Sequence, residues 1–172
     1  MSTLDVSDHW REIRRVFAAA FSSSFYFAIA TVGADGEPHV TPIGSVVLTE
    51  PARGFYFEEY PTRLPRNLSG DPRVSILAVN SGRLFWLRTL LVGRFPAPPA
   101  VRLRGRVVGE PRQVTARELA LWRRRVRRVR RLRGYNLLWG RLEQGRVRDL
   151  EIDSAEPVLL GPMTQGLWQS PV

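Results

Sequence analysis

The chain contains no cysteine and no lysine; every one of its 26 basic residues is an arginine. Without cysteine there can be no disulfide, no thiolate nucleophile, no iron–sulfur cluster and no Cys-ligated zinc. Without lysine there can be no Schiff base, no P-loop lysine and no lysine general base. Histidine is scarce too, with only His9 and His39, so a multi-histidine metal site within one chain is not expected. No apolar run approaches the roughly 20 residues needed to span a bilayer. Residues 1–8 carry two acids and no cation, which is not the pattern of an export signal. These absences lead to the expectation of a cytoplasmic protein with no metal and no membrane partner.

The 172 residues are 44% hydrophobic and 24% charged, the balance of one folded domain over residues 1–172. The net charge of +10 is unevenly spread. Residues 1–80 hold 7 arginines and 9 acids, residues 81–148 hold 19 and 3, and residues 149–172 hold none and 4. A near-neutral body thus carries one strongly cationic segment, and such a field attracts polyanions. Its densest part is Arg123 to Arg133, where eight of eleven residues are arginine. A polyanion, nucleic acid included, is a possible partner there; a solvated face is the plainer reading.

Hydrophobic spacing predicts the elements. Trp10, Ile13, Val16, Phe17, Ala20 and Phe21 recur every three or four residues, the mark of an amphipathic helix over 8–21 started by Ser7 or Asp8. His9 falls on its polar face and reads as solvated. Phe25 to Val32 reads as a strand, Asp35-Gly36 as its hairpin turn, and His39 to Leu48 as the return strand. Phe55 to Phe57 is a third strand. Thr62 to Ser69 is a short helix with Thr62 as N-cap and Pro65 in the first turn. Arg73 to Val79 reads as a buried strand, and residues 81–99 as a helix, a lid or a dimer contact. Val101 to Val108 alternates apolar residues with arginines. Thr115 and Glu118 form a capping-box pattern that opens an Arg-rich helix over 116–133, with Leu119, Trp122, Val126, Val129 and Leu132 as its stripe and Gly134 as its stop. Val147 to Leu160 supplies a last strand, interrupted at residues 154–156. Trp86, Trp122 and Trp139 are expected in packing. Hairpins with helices set between them predict an α+β, mainly β, antiparallel fold.

Phe27 to Pro42, then Gly54 to Phe57, then Arg66-Asn67-Leu68 with Asp71-Pro72-Arg73-Val74, resemble in order and spacing the pyridoxamine 5'-phosphate oxidase-like, FMN-binding split-barrel family. The resemblance is close over about residues 24–80 and looser beyond. It implies a six-stranded antiparallel split β-barrel with flanking helices, forming a homodimer with a flavin in each of two interface clefts. It also implies an FMN-dependent oxidoreductase acting on a small organic substrate, with deazaflavin, haem or no cofactor as alternatives. Thr62, Arg63, Arg66 and Asn67 match the segment around the flavin phosphate, and His39, Val40, Thr41, Pro42 and Ile43 match strand positions along the ring. No catalytic side chain is singled out, since the flavin carries the redox chemistry.

The chain departs from the family pattern in three places. The phosphate-binding lysine falls on Leu64, Pro65 removes a backbone N–H from the helix start, and Glu58 and Glu59 replace short polar residues. Gly161 to Val172 lacks the Arg- and Trp-bearing ending of a true pyridoxamine 5'-phosphate oxidase.

Overall fold

A computed structural model of the chain describes residues 3–59 and 62–168. The ends of the expected 1–172 domain lie outside these residues.

The N-terminal helix α1 (Trp10–Ser24) buries Trp10, Ile13, Val16, Phe17, Ala20 and Phe21, the stripe its spacing predicts. It begins two residues later than expected, and His9, not Ser7 or Asp8, is its N-cap. The Asp5 carboxylate instead takes the Ser7 and Asp8 N–H groups at 2.8 and 2.9 Å in the turn before the helix. His9 is buried, not solvated: Nδ1 lies 3.1 Å from the Asp5 carbonyl and the ring stands 6.5 Å from Trp168.

Strands β1 (Phe27–Val32) and β2 (Pro38–Ile43) form the expected hairpin, with Gly36 at φ +80° in its turn. The run that reads as one return strand breaks at residues 44–46, and its second half is a separate strand, β3 (Val47–Leu48), paired to β4 (Arg53–Phe57). Helix α2 (Arg63–Gly70), β5 (Arg73–Val79), helix α3 (Arg83–Val92) and β6 (Ala100–Gln113) follow. Helix α4 (Ala116–Arg125) carries the capping box, and α5 (Arg133–Trp139) leads into β7 (Arg146–Pro157).

All pairings are antiparallel, and the strand order is β2-β1-β5-β6-β7-β4-β3. There are therefore seven strands, not six. The sequence neighbours β2 and β3 lie at opposite edges of this sheet. Six inter-strand gaps would set flat edges about 29 Å apart, yet only residues 44–46 join them, a span of at most about 14 Å. The sheet must therefore curl, with an unpaired seam between β2 and β3 among the described residues. Ile29, Ile76 and Leu103 fill its inner face, and α1 packs on β5, β6 and β1.

Two further expectations are corrected. β7 is not interrupted at residues 154–156; it runs through them, and the irregularity is a register shift opposite Arg104 and Gly105. The Arg-rich helix ends at Arg125 rather than continuing to residue 133, and Gly134 lies inside α5 rather than stopping a helix. Arginines spaced four apart repel along such a helix, at 123/127, 124/128 and 127/131. Trp122 and Val126 are buried as the stripe predicts, while Leu132 is exposed.

Candidate functional site

The site is built where α2 meets the end of the β1–β2 hairpin. Asn67 donates from Nδ2 to Thr31 Oγ1 at 3.0 Å, which docks α2 on the last inward position of β1. In register, Thr31 faces His39, Ile29 faces Thr41 and Phe27 faces Ile43. Residues directly opposite in an antiparallel pair share a face, so His39, Thr41 and Ile43 belong to the inner face. Val40 and Pro42, opposite Ala30 and Ala28, belong to the outer one. The five β2 positions are thus divided between two faces. Ile43 is buried and forms part of the core, whereas His39 and Thr41 are half-buried and Val40 and Pro42 exposed.

At the start of α2, Thr62, Arg63 and Arg66 are exposed, and Arg66 follows Thr62 by four residues and Arg63 by three, which puts it beside both. Thr62 occupies the N-cap position, but its side chain makes no capping bond, contrary to expectation. Neither Arg63 nor Arg66 has a carboxylate partner among the described residues. Leu64, by contrast, is fully buried among core side chains. A helix with residues 63 and 66 outward must turn residue 64 and then Leu68 inward, and both are buried.

Glu58 does not face this helix. Its carboxylate lies 3.2 Å from Arg148 Nε, off line for a hydrogen bond, and accepts one from Arg148 Nη2 at 3.4 Å. The Tyr56 hydroxyl donates to the same carboxylate at 3.0 Å. Arg148 is buried, and burial followed by the Glu58 charge holds the Tyr56 phenol well above its ordinary range. Tyr56 stays neutral and acts as a donor. The two arms of this cluster come from β4 and β7, distant in sequence, and neither residue type announces the pairing.

A surface cavity of about 490 Å³ opens beside Thr31 on the outer face, lined among others by Ala30, Val32, Pro38, Ser75, Arg104 and Ser154. Its walls come from β1, β2, β5, β6 and β7. The strand alternation carries the signal for Ala30 and Ser75, but not their convergence with Ser154. Among the described residues no group of three or more His, Asp or Glu side chains could hold a metal ion. Nor is any helix there long and apolar enough to cross a membrane.

A family model described as pyridoxamine 5'-phosphate oxidase matches residues 13–149. The chain belongs to the pyridoxamine 5'-phosphate oxidase family. Solved structures share the fold at low identity. An FMN-binding protein from Syntrophomonas wolfei superposes with a TM-score of 0.59 at 9% identity, covering 88% of each chain. A candidate pyridoxamine 5'-phosphate oxidase from Lactobacillus delbrueckii gives 0.53 at 18%, covering 91% of this chain and 99% of that one. HupZ of Group A Streptococcus gives 0.53 at 17%, covering 84% and 92%. No curated protein matches.

For this family member, the donors at α2 suit a phosphate group. A first helical turn offers unpaired N–H groups, here all but that of Pro65, and arginine adds a fork of donors to phosphate oxygens. Leu64 lies in the core, so the exposed cations of α2 are Arg63 and Arg66. The engagement of Glu58 by Arg148 removes the repulsion that its sequence position suggests.

Proposed function

We propose that the protein is an FMN-dependent oxidoreductase acting on a small organic substrate, working as a homodimer. The observation that carries this reading is the exposed, unpaired trio Thr62, Arg63 and Arg66 on a helix docked by Asn67 against Thr31. Thr62, Arg63 and Arg66 would hold the phosphate, and His39, Thr41 and the outer β2 positions Val40 and Pro42 would border the ring. Bound flavin supplies the redox chemistry; the chain binds, orients and tunes it. The outer sheet face, with Val40 62% exposed beside Pro42 and Val32, is the surface a second copy would cover.

The test is a titration with FMN and riboflavin, followed by flavin fluorescence. Arg63→Ala should weaken FMN at least tenfold and leave riboflavin nearly unchanged. Equal losses would remove Arg63 from the phosphate site. Failure to take up FMN, a deazaflavin or haemin would overturn the cofactor reading altogether.

A second reading, from another class, rests on a concavity of about 660 Å³ lined by Arg123, Arg127, Arg128, Arg130 and Arg131. Polyanion binding there, nucleic acid included, would weaken steeply as salt rises. A salt-independent or undetectable DNA shift at low ionic strength would dispose of it.

A further inference from the structure

Helix α3 (Arg83–Val92) is apolar on both its packed and its open side. Thr89 is buried and Phe85 and Trp86 are half-buried, with Trp86 Nε1 donating to the Asn80 carbonyl at 2.8 Å. Phe85 and Trp86 also contact Phe95, at 5.6 and 5.3 Å between ring centres. That side fixes the helix to the body. The other side is apolar and open: Leu84, Leu87, Leu90, Leu91 and Val92 are between 55% and 82% exposed. Single exposed leucines are common, but five large apolar side chains on one ten-residue helix are not.

Their arrangement is specific. At about 100° per residue, Leu87, Leu91 and Leu84 form the centre of the exposed arc. Arg83 lies on one side of them and Arg88 on the other. Arg94 follows just beyond the helix, and residues 81–99 contain no acid at all. Arg83, Arg88 and Arg94 have no carboxylate partner among the described residues. The turn before the helix is tied down by the Ser81 N–H, which donates to Ser23 Oγ of α1 at 2.9 Å, and Gly93 caps the other end at φ +71°. The helix is therefore a fixed ridge of leucines between arginines.

We infer that α3 docks on an anionic lipid surface, its leucine arc entering the headgroup–acyl boundary while Arg83 and Arg88 meet lipid phosphates at the rim. With its other side packed on the body, α3 can present the leucine arc to the interface plane without crossing, and arginine stems reach sideways along apolar surface while their heads stay wet. A second copy of the chain fits the face less well. A two-fold contact with α3 on its axis would bring Arg83, Arg88 and Arg94 of both copies together, with no acid in residues 81–99 to offset them. This reading does not depend on the flavin, and its experiment involves none.

The experiment is flotation of the full chain with vesicles of phosphatidylcholine alone, or with about one third phosphatidylglycerol, at low and high salt. The chain should float with the anionic vesicles and far less with the neutral ones. Each exposed arginine contributes about fivefold to partitioning, so Arg83→Gln/Arg88→Gln should lose about 25-fold. Leu87→Ser/Leu91→Ser, both exposed and so neutral to folding by circular dichroism, should lose at least tenfold on the same vesicles. Arg127→Gln/Arg128→Gln should change binding less than the Arg83/Arg88 pair. Absence of binding, or binding that ignores the leucine pair, would overturn the proposal. So would loss of binding in the Arg127/Arg128 pair alone, which would assign the adsorption to the Arg-rich turn. A wild-type dimer that does not float and that Leu87→Ser/Leu91→Ser converts to monomer would assign the face to a second copy.

Discussion

Replacing Leu64 by lysine installs the residue that the resemblance implies at this position, and its burial predicts that the change will harm the protein rather than improve its cofactor binding. Leu64 is fully buried. Removing its side chain from the core forfeits about 2–3 kcal/mol of apolar burial. The lysine stem recovers part of that only if the ammonium can bend back to water. If it cannot, the amine deprotonates in the core, and a shift of 3–5 pKa units adds about 4–5 kcal/mol at pH 7. Loss of stability therefore starts at about 2 kcal/mol and rises with confinement of the amine. For a chain of this size that lowers Tm by at least about 4 °C. Urea unfolding followed by tryptophan fluorescence measures it, with Leu64→Met as the volume-conserving control, expected to cost less than about 1.5 kcal/mol. FMN titration of the same variants completes the comparison. Leu64→Lys within about 1 kcal/mol of wild type, with FMN bound tenfold tighter, would refute the reasoning. It would show that residue 64 faces the phosphate and that α2 is turned from the orientation described.

Three other outcomes follow from single observations. At Gly105 an added Cβ would lie 2.0 Å from the Glu151 carbonyl oxygen, a backbone atom that cannot step aside; Gly105→Ala should cost at least about 3 kcal/mol in urea unfolding, the upper end of overpacking. Glu58→Gln leaves Arg148 buried without a counter-charge and should cost about 3–5 kcal/mol, while Glu58→Leu/Arg148→Met should be less harmful than either single change. The Glu118 carboxyl is lowered from 4.5 to about 2, chiefly by Arg112 and then by the Thr115 N–H and hydroxyl. Its folded pKa lies below its unfolded one, so its contribution is complete above about pH 4.5 and disappears as pH falls toward 2. Asp71, held near 2 by Arg73, titrates in the same window, so the diagnostic result is a shallower loss between pH 5 and 2 in Arg112→Gln than in wild type.

Local signals were enough for the elements whose partners are close in sequence. The β1–β2 hairpin follows from its turn, where Gly36 takes the positive φ that Asp-Gly favours, and α1 from a stripe whose six members are all buried. What failed to show was set at long range. The run from His39 to Leu48 reads as one strand in spite of Pro42 and Gly44. It splits because Ser45 Oγ accepts from the Phe57 N–H at 3.2 Å and donates to the Phe57 carbonyl at 3.1 Å, fixing the chain against β4. Gly44 marks the break locally, and a Cβ there would lie 2.6 Å from the Phe25 carbonyl oxygen. The candidate site divides in the same way. The α2 side is legible from the Thr-Arg-Leu-Pro-Arg-Asn order, but the inward turn of Leu64 and the engagement of Glu58 by Arg148 depend on packing that no single stretch encodes.

The arginine excess takes on a different meaning once β6 and β7 are paired. All four acids of residues 149–172 lie on β7, and arginines of β6 meet every one of them. Glu156 is 3.2 and 2.8 Å from Arg102 and Arg104, Arg106 reaches Glu151 and Asp153 at 2.7 and 3.0 Å, and Arg112 reaches Asp149 at 2.6 Å. The basic and acidic segments of the sequence thus neutralise each other across one strand pair. Arg106 and Arg112 each bridge two carboxylates with one guanidinium, a task suited to a planar fork and poorly suited to a single ammonium. The exposed pairs among them add little stability individually, whereas Glu156 is buried between its two arginines; together the pairs cancel the field over this part of the sheet. Exposed arginines without a carboxylate partner among the described residues remain on α1, on α2, on α3 and in the turn after α4. The three proposed anions differ in kind because three of these surfaces do: a helix start docked at the β1–β2 end, a leucine ridge, and a concavity lined by arginines.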